Sequence, residues 1–467
     1  MHPQARIFVP LAAAGALCAG LALELGGRGG GDDLVFATWG TPGEIAGFRR
    51  LIDHYNATRR PLHPVRLAHA EQYQYTERLM VQAAARALPD VIHLDRNDVP
   101  LFARMGLLAD IGPFIAGDTA FHEGDYFPEL WEGCRSGNRV FAVPHNFSTL
   151  VLYYNRDQLD AAGIPPPDST WTWDTLAAAA ARLTRRDADS SVIRYGCLMQ
   201  IAFAAMLAQN GGRVLNAAMD SCVIASPACA RALAFEVDLS EKYRVSWSML
   251  AQNMQWDDMF TGGRLSMIAN GRWALIPYVR AMGEGAVDVA PLPRGSLRRG
   301  AVACHVMGVS AQSRRQEEAW EFVRYLVSGE GEAIVAEDGS AIPALRRAAA
   351  SDAVLRAGGV RGEVFIDELP GAAPWPFIQG PYLSGFALQS RFESAVRRVL
   401  LHQAAPLESL RMMEQEVNAQ IRSARDTPPR RRFAGSALFY VSCALCMAAC
   451  AAALRSLIRR RRTHSPP

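Results

Sequence analysis

The apolar positions change period repeatedly along the first part of the chain. Leu34 to Thr38 is an apolar run that predicts a short buried strand, ended by Trp39-Gly40. Thr41-Pro42-Gly43-Glu44 predicts a helix start, with threonine as N-cap, proline at the first position and glutamate at the third. Ile45, Phe48, Ile52 and Tyr55 supply that helix with an apolar face at helical spacing. The pattern continues with a helix over 77–87, stopped before Pro89, a strand over 90–95 and a helix over 99–105 closed by Gly106. Strands alternating with helices predict an α/β layer architecture.

A second pattern fills Val140 to Leu176. An apolar run closed by Pro144 is followed by the polar His145, Asn146, Phe147 and Ser148, then by another apolar run from Thr149 to Tyr154 that ends at Asn155. After a proline cluster, Thr172-Trp173-Asp174 predicts a helix start, with Thr175 where the reciprocal glutamate of a capping box would stand. Late in the chain, Phe392, Val396, Val399 and Leu400 form one helical stripe and Leu407, Leu410, Val417 and Ile421 another, both read as core.

The two ends differ from the body. Residues 1–25 predict a signal peptide or N-terminal anchor, because Ile7 to Leu23 is uncharged and follows Arg6. Cys18 follows Leu17 where a lipoprotein signal requires a small residue, which argues against a lipid anchor. Residues 26–33 form a glycine-rich linker. Phe433 to Leu454 is uncharged, and a transmembrane helix is expected over 433–457. The arginines beyond it outnumber those before it, which predicts a basic cytoplasmic tail over 458–467. The expected location is the cell envelope, with the body periplasmic or extracellular and held in the cytoplasmic membrane by the C-terminal helix.

Four segments, in order, carry a family resemblance. LPDVIHLDRNDVPLFARMGLLADI (Leu88 to Ile111), the Val140 to Leu176 stretch, FTGGRLSMIANGRWAL (Phe260 to Leu275) and DVAPLPRG (Asp288 to Gly295) together resemble the sugar-type solute-binding receptors of ABC importers, the maltose-binding-protein-like family. Ser266 stands where that family usually has alanine. The resemblance spans roughly Leu34 to Ile421. It implies an α/β, two-lobed periplasmic-binding-protein-like class II fold with hinge crossings, to which the ends add the C-terminal transmembrane helix. The first lobe is expected over 34–145 and 292–330, the second over 146–291 and 331–425.

The resemblance further implies capture of a carbohydrate or related polar solute between the lobes, delivery to permease subunits by hinge closure, and through them a partnership with an ATPase. A sugar needs aromatic faces for its C–H surfaces and donors or acceptors for its hydroxyl rim. Trp273, after Gly-x, is the leading stacking candidate. Trp39, just past the first strand, either contacts ligand or packs, and Glu44 either contacts ligand or serves only its capping box. Asp95 at a strand end, His145 and Asn146 in the polar crossing, and His305 on the return crossing are further candidates, as are Tyr153, Trp256 and Asp257.

Composition narrows the alternatives. A net charge of +3 from 49 basic and 46 acidic residues does not suit a nucleic-acid binder. Lys242 is the only lysine and lies in no P-loop, and no H-E-x-x-H, G-x-S-x-G or G-x-G-x-x-G occurs. No enzyme activity, cofactor or metal is expected. Paired carboxylates of a carbohydrate-active enzyme stay open as a remote alternative. So do a membrane-tethered sensor and a permease-bound scaffold without a transport ligand. Five cysteines fall in the body, and Cys222 and Cys229 are either bridged or two buried thiols.

Overall fold

The computed structural model describes residues 32–70, 72–248, 255–375, 380–383 and 385–426. Leu34–Thr38 (β1) pairs in parallel with Val65–His69 (β2) and Val91–Asp95 (β3). Between β1 and β2 runs Pro42–Arg59 (α1), whose start is the capping box expected: Glu44 N donates to Thr41 Oγ1, and the Glu44 carboxylate accepts from Thr41 N. The helix after β2, Gln72–Ala84 (α2), starts before the expected residue 77. Its buried stripe of Tyr75, Leu79 and Ala83 begins earlier than the glutamate that marked the expected start. It stops short of residue 87 because Arg86 takes a left-handed backbone conformation. Val99–Arg104 (α3) follows β3.

Val143–Thr149 (β4) belongs to the same sheet and Val151–Asn155 (β5) to a second, so the chain crosses between sheets at Leu150. In the second sheet β5 lies antiparallel to Leu265–Asn270 (β7) and to Val287–Ala290 (β8), while Val192–Leu198 (β6) pairs in parallel with β7. The chain returns along Ala301–Val309 (β9), which lies antiparallel to β3 and to β4 in the larger sheet. The larger sheet runs Ile342–Pro343, β4, β9, β3, β1, β2, with Ala373–Pro374 added beside β9. The smaller runs β8, β5, β7, β6, Arg185–Arg186.

Period-two burial divides the core. On β5, Val151 and Tyr153 join the cluster that fills the larger sheet, while Leu152 and Tyr154 face the opposite way. The far face is covered by Trp173–Leu183 (α4), Phe203–Gln209 (α5), Pro227–Glu241 (α6) and two late helices, Gly385–Leu400 (α10) and Pro406–Asp426 (α11). Thr172 caps α4 as expected, its Oγ1 accepting from Thr175 N, and the Thr175 hydroxyl, 3.1 Å from Thr172 Oγ1, occupies the glutamate's place. Gln316–Leu326 (α8) and Gly329–Asp338 (α9) lie against the larger sheet. Most of α9 was expected in the second lobe; it packs on α1 and on Ile342–Pro343.

The expected transmembrane helix is not supported. Among the described residues no helix is long and apolar enough to cross a membrane. The longest late helix, α11, buries Leu410, Met413, Val417, Ile421 and Ala424 on one face and carries charged residues on the other, the pattern of a helix docked on a core. Residues 433–457 lie outside the described residues, as do 1–25, the linker up to residue 31 and the tail. All five body cysteines are buried free thiols, Cys222 and Cys229 included.

Two buried contacts fix the lobes internally and to each other. Gly196 on β6 lies so close to α4 that a Cβ there would stand 2.1 Å from Ala180 O. Arg272, wholly buried after β7, donates to Gly339 O at 3.2 Å and Val354 O at 2.5 Å and lies 5.0 Å from the Phe365 ring. Gly196→Ala should destabilise the protein by roughly 1–3 kcal/mol, the usual cost of overpacking. A urea titration followed by circular dichroism measures it, and an unchanged midpoint would refute the close-packing account.

Candidate functional site

The end of β3 builds one wall of the gap between the sheets. Asp95 accepts from Asn97 N at 2.8 Å and turns the strand into a single helical turn, Arg96–Asp98. That turn presents Arg96 and Asn97 to a cleft of about 530 Å³. Arg96 is held by donation from Nη1 to Glu129 O at 2.8 Å. Ala204, Leu207 and Ala208 on α5 form the opposite wall, and Arg299, Ala373 and Pro374 close the hinge side. The cleft therefore takes its lining from both lobes and from the segments that join them, the usual place for a small-molecule site.

A tryptophan pair packs behind this cleft, next to Asn97 and Pro374, and neither ring is among the lining residues. Trp273 and Trp375 have ring centroids 5.3 Å apart at 34°. Trp375 Nε1 donates to Ile201 O at 2.8 Å, and Trp375 O accepts from Asn97 Nδ2 at 2.9 Å, so this residue touches both walls. The Gly-x-Trp spacing has a steric origin: a Cβ on Gly271 would come within 2.2 Å of the Trp273 ring, which folds back over the glycine. Trp273 was the leading sequence candidate; Trp375, Arg96 and Asn97 were not singled out. The proline before Trp375 was the available signal, since it lies in the short strand beside β9 that leads into the tryptophan.

Trp39, Asp95 and His305 come together next to this wall, but as packed groups. Trp39 is 7% exposed and stacks on His93 at 4.4 Å, with Tyr75 at 4.7 Å and His305 at 5.2 Å. His305 sits opposite Asp95 on one side and Asn146 on the other. The register slips beside it, leaving His145 as the extra residue of a β-bulge. Glu44, His93, His145 and Asn146 border a separate hollow of about 30 Å³ inside the first lobe. Tyr153 is fully buried, its hydroxyl donating to Gly271 O at 2.9 Å, so it supports the Trp273 turn from beneath. Asp257 accepts from Tyr278 and from Asn270 Nδ2, and Trp256 is 38% exposed at the start of its helix; neither lines the cleft.

The histidine bed is electrically neutral. Burial, with help from His305, pushes His145 down to about 3, and burial holds His93 and His305 below the ordinary histidine value. Glu332, 3.8 Å from His145 Nδ1, is driven far above the carboxylate range by burial. The two form a neutral contact rather than an ion pair. Burial also raises Asp95, against the opposing pull of His305. Among the described residues no group of His, Cys, Asp and Glu is arranged to hold a metal ion.

Residues 40–333 match the family model described as bacterial extracellular solute-binding protein, and the chain belongs to that family. Its similarity extends to an uncharacterized lipoprotein in the oleD 5' region of Streptomyces antibioticus, 26% identical over 301 residues. That match covers 61% of this chain and 64% of the relative's length. Among solved structures it resembles an ABC substrate-binding protein of Listeria monocytogenes in complex with cycloalternan, at TM-score 0.72 and 22% identity, covering 83% of this chain and 98% of that one. It also resembles the sugar-binding protein MalE of Xanthomonas citri, at TM-score 0.72 and 20% identity, covering 84% and 98%. These likenesses bear out the two-lobed α/β fold, and the family and its neighbours are binding proteins rather than enzymes.

The neutral bed makes stability depend on pH in two opposite senses. The unfolded chain's histidines take up protons below about 6.5 that the folded ones refuse, so they withdraw stability as pH falls through that value. Folded Glu332 keeps a proton that the unfolded chain releases above about 4.5, so its contribution is complete below that pH and is lost as pH rises through its raised folded value. Glu332→Gln should therefore gain on the wild type as pH rises above 4.5, by up to about 1.4 kcal/mol per pH unit. Urea midpoints at pH 5, 7 and 9 test this; a constant difference would show that Glu332 is not held protonated.

Proposed function

We propose that the protein captures a carbohydrate or related polar solute in the inter-lobe cleft and hands it, unchanged, to the permease of an ABC importer. The observation that carries this reading is the cleft itself, lined by both lobes and bounded by hinge segments, with Trp375 of the Trp273–Trp375 pair bonded to its lining residue Asn97. The rings offer apolar faces for sugar C–H surfaces, while Asn97, Glu132 and Arg299 offer hydroxyl partners. The relatives from Listeria monocytogenes and Xanthomonas citri, a cycloalternan complex and a sugar-binding protein, support the same ligand class.

The lobes divide, in this reading, between the larger sheet with α1–α3, α8 and α9, and the smaller sheet with α4–α7 (α7 being Leu275–Met282) and α10–α11. Ligand contacts to both lobes favour a closed form by their differential affinity. Membership of an extracellular family, and likeness to a lipoprotein, support a place in the cell envelope.

The test is intrinsic tryptophan fluorescence and thermal unfolding against mono- and oligosaccharides, polyols and sugar phosphates. A saturable response to one class is expected. Trp273→Ala and Trp375→Ala should each weaken it by about 10-fold or more, as the loss of a stacking ring predicts. A folded protein that responds to nothing in the panel would overturn the receptor reading.

A further inference from the structure

The charge of the cleft narrows the ligand class. Arg96 comes from the first lobe, Arg213 from the loop after α5 in the second, and Arg299 from the return crossing, and all three line the same cleft. Only one carboxylate, Glu132, lines it with them among the described residues. Among the described residues no ion pair engages any of the three arginines. The contrast with Arg298 is local, because that neighbour of Arg299 turns away and pairs with Glu368 at 2.5 Å.

Arg96 is the informative member. The residue is 4% exposed, and among the described residues its guanidinium has a single hydrogen-bond partner, the Glu129 carbonyl. Its neighbour Asp95 accepts from Asn97 N and makes no salt bridge with Arg96, although the Arg96 charge is near enough to offset part of the rise that burial gives the Asp95 carboxyl. A buried cation whose one hydrogen-bond acceptor is a neutral carbonyl keeps donors for another partner, and desolvation strengthens its pull on any anion that reaches it. Arg299 is likewise steadied through one atom, Nη1 to Gly371 O at 3.5 Å, which leaves most of its fork of donors available. Arg213 is exposed, with no side-chain partner among the described residues. Guanidinium forks match the paired oxygens of phosphate and carboxylate, and three of them line this one cleft.

Resting on the receptor reading above, we propose that the solute is anionic: a sugar or polyol bearing a phosphate or a carboxylate, its charged group held by Arg96, Arg213 and Arg299 and its apolar face turned to Trp375 and Trp273. An oxyanion of the solute would accept from guanidinium N–H groups of both lobes, so the charge would itself favour closure. The positive cleft would also speed capture at low salt.

Isothermal titration of the full chain decides it, using matched sets: glucose, glucose 6-phosphate and glucuronate; glycerol and glycerol 3-phosphate; neutral and uronate oligosaccharides; and inorganic phosphate alone. At least 10-fold tighter binding of one charged member over its neutral partner is expected, weakening as salt rises from 20 to 500 mM. A phosphorylated winner identifies phosphate as the group and a uronate winner identifies carboxylate. Arg213→Gln and Arg299→Gln should each remove most of that preference while leaving the thermal midpoint in place; Arg213, being exposed, keeps the test independent of folding. Arg96→Gln should abolish it. A neutral saccharide bound as tightly as its charged partner, with all three variants unaffected, would overturn the anionic assignment and leave the receptor reading standing. No binding by any member, phosphate included, would overturn both.

Discussion

The arrangement of the lobes depends on the first residues of β9, because every chain crossing is hydrogen-bonded to them. Leu150 N donates to Ala301 O at 2.8 Å where the chain first crosses. Ala373 N donates to Gly300 O, and Trp375 N to Val302 O, each at 2.9 Å, where it crosses last. The outgoing, returning and final segments thus form one ribbon around Gly300–Val302. Further along, β9 fills the space between β3 and β4, so a displacement of its start is transmitted to the strand ends that carry Asp95 and His305. A hinge made of backbone hydrogen bonds can bend at few residues without exposing unpaired donors, which confines motion to the ribbon itself.

Two unusual burials lie on either side of that ribbon. On the first lobe's side is the bed of His93, His145, His305 and Glu332, held neutral by desolvation and packed beneath Trp39. Histidine Nδ1 of His93 meets Thr38 Oγ1 at 2.8 Å, so at least one polar atom of the bed is satisfied within the strands. On the other side Arg272 reaches from the second sheet to the carbonyls of Gly339 and Val354, while its backbone N donates to Ser148 Oγ at 2.7 Å. Removing a buried guanidinium would leave carbonyls without partners, a loss of several kcal/mol at typical magnitudes. These groups stiffen the base of each wall, so the adaptable surface is the layer above it: the tryptophan pair, Asn97 and the arginines.

How far the sequence revealed this follows the range of each interaction. Local chemistry was legible: the Thr41–Glu44 box, the Thr172 cap, the alternation of β5 and the late helical stripes all depend on residues within a few positions of one another. The pairing of four spaced motifs also located the crossings, because prolines and polar residues interrupt apolar runs there. The Gly-x-Trp spacing has a local reason too, since the Trp273 ring needs the bare Gly271 two residues before it. What stayed hidden depends on chain segments far apart. Trp39 ends a strand above the gap, but whether its ring faces solvent depends on His93 and His305, which arrive from two other strands. His145 looked like a polar crossing residue, and a one-residue bulge against β9 turned it inward. Arg96 looked like one arginine among many in a chain with a single lysine. Its burial and its carbonyl partner emerge only when α5, Glu129 and the hinge close around it. Spacing thus revealed the elements, whereas the cleft's lining was set by which side chains the tertiary fold brings together.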